Sequence, residues 1–421
     1  MKKNNYIVVT LISFFFLTLS CREEIALETE TLESVLVVEA TITNELKKHE
    51  VRVSRTFLLE EDSEQILENN AEVKVTDNTG NSFNFSQNSE GVYVSDSAFE
   101  ALPNVEYTLE IKTIDGKSYR SNQQILTPIS QIDNLYAEYV DDSVNGPGVQ
   151  IFVDSENPNS ETQYFRYEYE ETFKIVVPFN NLIGVNFTNL VEVGDLCGKH
   201  VFYDVEFFEK TEEEGTCFSS NKNLNILQTN STNLSDNNIL RFPIRFLADD
   251  IENDIIDTSV LKDGYSIKIR QYIQNIESYN YYRILNLLGN TDSVLSETQP
   301  GFLEGNLTAL NSDNQRVIGF FEVASVTEQR IFFNYQEVNI PLPNYIYSCD
   351  ERVYDFNDNI DTSNMCDIDE NERNSLYLFV NNDNYKLINY VEETEIYTIA
   401  KQECVNCTSA GTNIQPDFWI D

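Results

Sequence analysis

The chain has 421 residues, 41% of them apolar and 12% aromatic. That is enough for two or three domains with sizeable cores, and it argues against global disorder. Its 28 basic and 70 acidic residues leave a net charge of −42. A field of that sign repels DNA, RNA and anionic lipid headgroups, and keeps a surface solvated. A divalent-cation site needs a local cluster rather than this global excess.

Residues 1–20 read as a signal peptide. Lys2 and Lys3 form the charged start, and Tyr6 to Leu19 is an apolar run broken only by Thr10, Ser13 and Thr18. That run of 14 residues is too short to cross about 30 Å of hydrocarbon as a helix. It closes on Leu17-Thr18-Leu19-Ser20-Cys21, which resembles a bacterial lipobox with Leu displaced to the −4 and −2 positions. Cys21 is therefore expected to carry lipid, and an acylated Cys anchors a chain through its buried methylenes. The next residues, Arg22-Glu23-Glu24, resemble a surface-export signal of Bacteroidota lipoproteins. Residues 21–34 are acidic and aperiodic and read as a tether.

A period-2 pattern begins at Val35. It recurs in Val51-Arg52-Val53-Ser54, in Ala71 to Val75, and in Tyr107 to Lys112. Asp77-Asn78-Thr79-Gly80 and Asp115-Gly116 fall between alternating runs and predict hairpins. Residues 35–127 are expected to form an immunoglobulin-like β-sandwich, with a boundary at Thr127-Pro128. Residues 128–421 predict a larger β-rich domain. Its strand candidates are Gly148–Asp154, Tyr164–Phe173, Leu240–Ile244, Tyr265–Tyr272, Val317–Val323 and Ile331–Tyr335. One helix is expected over Ser278–Leu288, from the i, i+3, i+4, i+7 spacing of Tyr281, Ile284, Leu285 and Leu288 with Gly289 as its cap. The Asn- and Asp-rich stretches 219–238 and 355–374 read as surface loops. The expected fold class is thus mainly β with one short helix.

With Cys21 lipidated, six Cys remain: Cys197, Cys217, Cys349, Cys366, Cys404 and Cys407. An even count in an exported chain reads as disulfides. Cys197 with Cys217 is a local pairing, and the other four are expected to pair among themselves and tie down the C-terminus. Zinc on the last four, through the C-x₂-C spacing of Cys404 and Cys407, is the alternative. Asp355, Asn357, Asn359 and Asp361 alternate as in a calcium loop. Ile360 in place of the turn Gly and Cys366 in place of the twelfth-position Glu exclude an EF-hand, and a solvated loop is the plainer reading. Ser97, Ser143 and Ser293 each follow Asp and precede Ala or Val, which resembles an O-glycan acceptor pattern. His49 and His200 are the two histidines. A Cys197/His200 dyad would need a free thiol, and no catalytic residue is assigned. Tyr164, Phe165, Tyr167 and Tyr169 alternate with charged residues, a pattern that serves sheet packing or, if exposed, sugar stacking.

These segments together resemble a family of Bacteroidota outer-membrane lipoproteins of unknown function, encoded beside TonB-dependent receptors. The resemblance is carried by Val37-Val38-Glu39-Ala40-Thr41-Ile42-Thr43, Tyr164 to Thr172, Gly305-Asn306, Val317-Ile318-Gly319-Phe320-Phe321 and the C-terminal Pro416-Asp417-Phe418-Trp419. It implies a non-enzymatic accessory or ligand-capture partner of such a receptor, on the outer membrane and facing out, with a small molecule or glycan as ligand. A surface adhesion protein and a hydrolase with an acidic site are the other readings.

Overall fold

The computed structural model describes residues 35–420 except 57–65, 143–145, 157–162, 196–197, 211–213, 233–237, 251–254, 290–302, 304, 311–315, 356–369, 383 and 394. The fold is mainly β, as the alternating sequence predicts. Seven elements position the site: β1 (Leu36–Thr43), β2 (Glu50–Arg55), β3 (Tyr164–Val176), β4 (Thr216–Lys222), β5 (Tyr265–Gln274), α1 (Ile276–Gly289) and β6 (Val317–Phe333). They share one hydrogen-bonded path in the order β4-β3-β5-β6-β1-β2, continued by strands 93–95, 82–87, 72–77, 106–112, 118–121 and 307–309.

The first core gathers the inward residues of this continuation, among them Val38, Ile42, Val53, Val75, Leu109 and Tyr119. Both predicted hairpins form: 72–77 pairs with 82–87, and 106–112 pairs with 118–121. This core also takes Leu307, Val317, Phe321 and Val323 from far along the chain. The second core lies under β3 and β5 and includes Phe165, Tyr167, Ile267, Ile269 and Val149. A third, smaller cluster joins a sheet of strands 351–355, 385–391 and 396–401 to Leu376 of a helix at Glu370–Asn381, with Val185 and Phe187 of a long hairpin packed against it.

β6 connects the first two cores. The two sequence candidates 317–323 and 331–335 are parts of one 17-residue strand. Its first half runs parallel to β1, from Leu36 opposite Val317 to Thr43 opposite Ala324. Its second half runs antiparallel to β5, from Ser325 opposite Ile273 to Phe333 opposite Tyr265. Gly319 sits where β6 meets β1 at φ +143°, and a Cβ there would lie 2.2 Å from the Val38 carbonyl oxygen. Only glycine tolerates both the angle and the approach. Beside it, Asn306 bonds the Phe321 backbone twice: its Nδ2 donates to the carbonyl and its Oδ1 accepts from the N–H, each at 2.8 Å. A side-chain amide thus completes the pairing that a neighbouring strand would otherwise supply.

Two loop readings need correction. Residues 219–222 and 227–230 of the 219–238 stretch are strand, because both edges pair with the charged strand β3. Within 355–374, helix begins at Glu370. Asn and Asp runs suggest loops by local hydrogen bonding, and here tertiary pairing overrides that tendency.

Candidate functional site

A cleft of about 910 Å³ opens where β6 passes from β1 to β5. β1 and residues 47–52 form one wall, β3 and β5 form the other, and α1 contributes Tyr281 and Tyr282. The β3–β5 wall follows from alternation. Phe165 and Tyr167 turn into the core, with 0% and 1% exposure, so Arg166, Glu168 and Glu170 point the other way. In register across the sheet, Arg166 faces Tyr272, Glu168 faces Arg270, and Glu170 faces Lys268. The face is a ladder of opposite charges, the arrangement that stabilises antiparallel neighbours.

Arg166 is the centre of this ladder. It is 6% exposed and lies between two tyrosine rings, 4.2 Å from the Tyr272 centroid and 4.8 Å from that of Tyr282. Its Nη1 donates to Glu168 and its Nη2 to Glu322 Oε2 at 2.9 Å. Burial opposes its charge, but the Glu322 and Glu168 carboxylates and the tyrosines outweigh that, and its pKa rises above the ordinary value. Glu322, buried on β6, also accepts from Gln274 Nε2 at 3.0 Å, from Thr41 Oγ1 at 3.4 Å and from Ser278 Oγ. One carboxylate therefore joins β1, β3, β5, α1 and β6.

Arg270 donates to Glu45 at 2.6 Å and Glu328 at 3.2 Å. Partial burial raises the Glu45 carboxyl, but bonds from Arg270, Lys47 and Thr43 outweigh it and hold it at about 2. Burial likewise raises Glu168, and the Arg166 charge with bonds from Arg166 and Tyr272 brings the net shift downward. Burial pushes Tyr272 and Tyr281 up to about 12 and Tyr282 further. At neutral pH these phenols keep their protons, and Glu168 stays ionised.

His49 also lines the cleft. It is buried, its Nε2 lies 2.9 Å from the Phe99 carbonyl, and its Nδ1 finds no partner among the described residues. Burial lowers its pKa to about 4 against that hydrogen bond, so the ring is neutral.

Of the residues singled out in the sequence, His49, Tyr167 and Tyr169 line this cleft. Cys21, Arg22, Glu23, Glu24, Cys197, Cys366, Ser143, Ser293, Asn357, Asn359 and Asp361 lie outside the described residues. Asp355 ends the 351–355 strand, and Ser97 is exposed just after the 93–95 strand. His200 pairs with Val193 across a hairpin. Among the described residues, no group of three or more His, Cys, Asp and Glu is placed to hold a metal, and no helix is long and apolar enough to cross a membrane. The cysteine pairing differs from expectation. Cys217 bonds Cys407, 190 residues away, and Cys349 bonds Cys404. Cys217 is therefore not paired locally with Cys197, and the last four do not pair only among themselves. The reason is that strand β4 brings Cys217 beside the C-terminal segment, where Phe218 and Thr412 bond back to back. With Cys404 and Cys407 both in disulfides, neither is free to hold zinc.

Residues 22–330 match a family described as a domain of unknown function, DUF4249. The chain belongs to that family. The DUF4249 match spans β1 and nearly all of β6, and therefore both walls of the cleft. No curated protein matches the chain. Of the residues lining the cleft of this DUF4249 chain, the sequence singled out His49, Tyr167 and Tyr169 but not the charged ones, although the period-2 charges in 164–170 and 265–274 were visible. Their meaning depends on the register between two strands about a hundred residues apart.

Proposed function

We propose that this protein is a Bacteroidota outer-membrane lipoprotein, lipidated at Cys21 and facing outward. In this reading it captures a ligand without catalysing a reaction, as the accessory partner of a TonB-dependent receptor. The observation that carries the reading is the cleft itself. It is concave, large enough for a ligand of drug or oligosaccharide size, and built mostly on strands. Its charged groups favour holding over reacting. Glu168 is kept ionised by Arg166 and Tyr272, whereas a glycosidase needs one carboxyl raised so that it can donate a proton. The leader ending at Cys21 and the Arg22-Glu23-Glu24 sequence support the location, and the sequence resemblance supports the receptor partner.

The test is purification of the tagged full-length protein from outer membranes in mild detergent, with partners identified by mass. Stoichiometric recovery of a TonB-dependent receptor is the expected result. Repeated recovery of the lipoprotein alone would overturn the accessory role, and labelling of Cys21 by a fatty-acid analogue tests the anchor separately.

A further inference from the structure

The cleft departs from the acidic balance of the chain. Acids outnumber cations 70 to 28 in the sequence, yet the side chains lining the cleft include seven cations and four acids. Four of those cations are paired: Arg166 with Glu168 and Glu322, Arg270 with Glu45 and Glu328, Lys268 with Glu170, and Lys47 with Glu45. Lys48, Arg52 and Lys222 are exposed and have no ion-pair partner among the described residues. They stand on opposite walls, Lys48 and Arg52 beside and on β2, Lys222 at the end of β4. Glu39 and Glu50 are the lining acids with no ion-pair partner among the described residues, so the unpaired groups at the walls carry one net positive charge. Deeper in, the buried Arg166 keeps an Nε with no hydrogen-bond acceptor.

Cations left unpaired in a concave site focus a positive potential there. That potential is local, set in a chain whose net charge is −42, and it favours an acidic ligand here. The size and lining narrow the class further. About 910 Å³ lies near the top of the range for small-molecule sites, more than one small carboxylate fills. Tyr282, partly exposed on the α1 side, offers a ring face for stacking.

We propose that the cleft binds a polycarboxylate ligand of oligosaccharide size, its carboxylates meeting Lys48 and Arg52 on one wall and Lys222 on the other, with one ring lying against Tyr282. This rests on the reading of the cleft as a capture site and adds the class of ligand.

The test is titration calorimetry on the full-length protein in mild detergent, with three probes: tetragalacturonate, its fully methylated ester, and citrate. The first has rings and charge, the second rings alone, the third charge alone. The acid is expected to bind, with the ester and citrate each at least about tenfold weaker, and its affinity is expected to fall as salt rises. The triple variant K48Q/R52Q/K222Q is expected to bind the acid about tenfold less tightly, since three exposed ion pairs together are worth about that factor. Because all three residues are exposed and have no ion-pair partner among the described residues, its thermal midpoint is expected to match the parent, which separates lost binding from lost fold. No heat with the acid, equal affinity for acid and ester, or an unchanged triple variant would each overturn the proposal. A receptor that co-purifies while the acid fails to bind removes the ligand class alone. Acid binding without a receptor removes the accessory role alone.

Discussion

Replacing Glu322 with Ala tests whether one buried carboxylate holds the two sheet halves together. Glu322 is 2% exposed and its partner Arg166 is 6% exposed, at an Nη2–Oε2 distance of 2.9 Å. Removing one member of a buried pair typically costs about 3–5 kcal/mol, because the other charge is left desolvated and alone. Arg166 would keep Glu168, whose side chain is 45% exposed and so a weaker substitute. The bonds from Gln274, Ser278 and Thr41 would also lose their acceptor. The expected loss for E322A is therefore about 3 kcal/mol, read as a lower urea midpoint at constant slope. The double variant R166M/E322L removes both charges and fills similar volume. It is expected to recover most of the loss, since a buried pair is often worth little net against apolar replacements. A loss below about 1 kcal/mol for E322A, or a double variant as unstable as the single one, would refute the argument that the cost is an orphaned guanidinium.

Four further outcomes are expected. His49 is held neutral in the fold at about 4 by burial, against about 6.5 in an unfolded chain. The unfolded chain therefore takes up the proton first, and this contribution to stability is lost as pH falls from about 6.5 to about 4, by up to about 3 kcal/mol; the urea-midpoint difference between the parent and His49→Gln is expected to shrink over that window, and a constant difference would contradict it. Asn306→Ala leaves a buried N–H and C=O of Phe321 without their side-chain partners, and is expected to cost about 2–4 kcal/mol in the same assay. Peptide mapping without reductant is expected to recover Cys217 linked to Cys407 and Cys349 linked to Cys404. Substituting both Cys217 and Cys407 with Ser is expected to cost about 2–4 kcal/mol, the usual range for a long closed loop.

Local signals carried well into the structure where the partner was near in sequence. The Asp115-Gly116 turn predicts its hairpin because the two strands it joins are the two that pair. Tyr281, Ile284, Leu285 and Leu288 predict α1, and they do pack as one cluster against Phe320. What depended on distant pairing was not legible. β1 and β6 are about 280 residues apart and parallel, so no turn marks their meeting; Gly319 and Asn306 show their purpose only once Val38 and Phe321 are beside them. The same holds for Cys217, whose local partner looked natural until β4 placed it against the C-terminal segment. The cleft belongs to this second class. The charges of Arg166 and Glu168 alternate visibly in the sequence, but Arg270, Lys268 and Glu322 acquire their roles only through cross-strand register.

The parallel pairing of β1 with β6 also sets how the protein responds to force. A pull drawn along β1 from its Leu36 end acts parallel to both neighbouring strands, over the register from Leu36–Val317 to Thr43–Ala324 on one side and from Leu36–Arg55 to Ala40–Val51 on the other. Loaded in that direction, the hydrogen bonds share the strain and yield together, rather than opening one after another as in a peeled hairpin. A load applied at the Leu36 end would thus be carried in shear by both neighbours of β1.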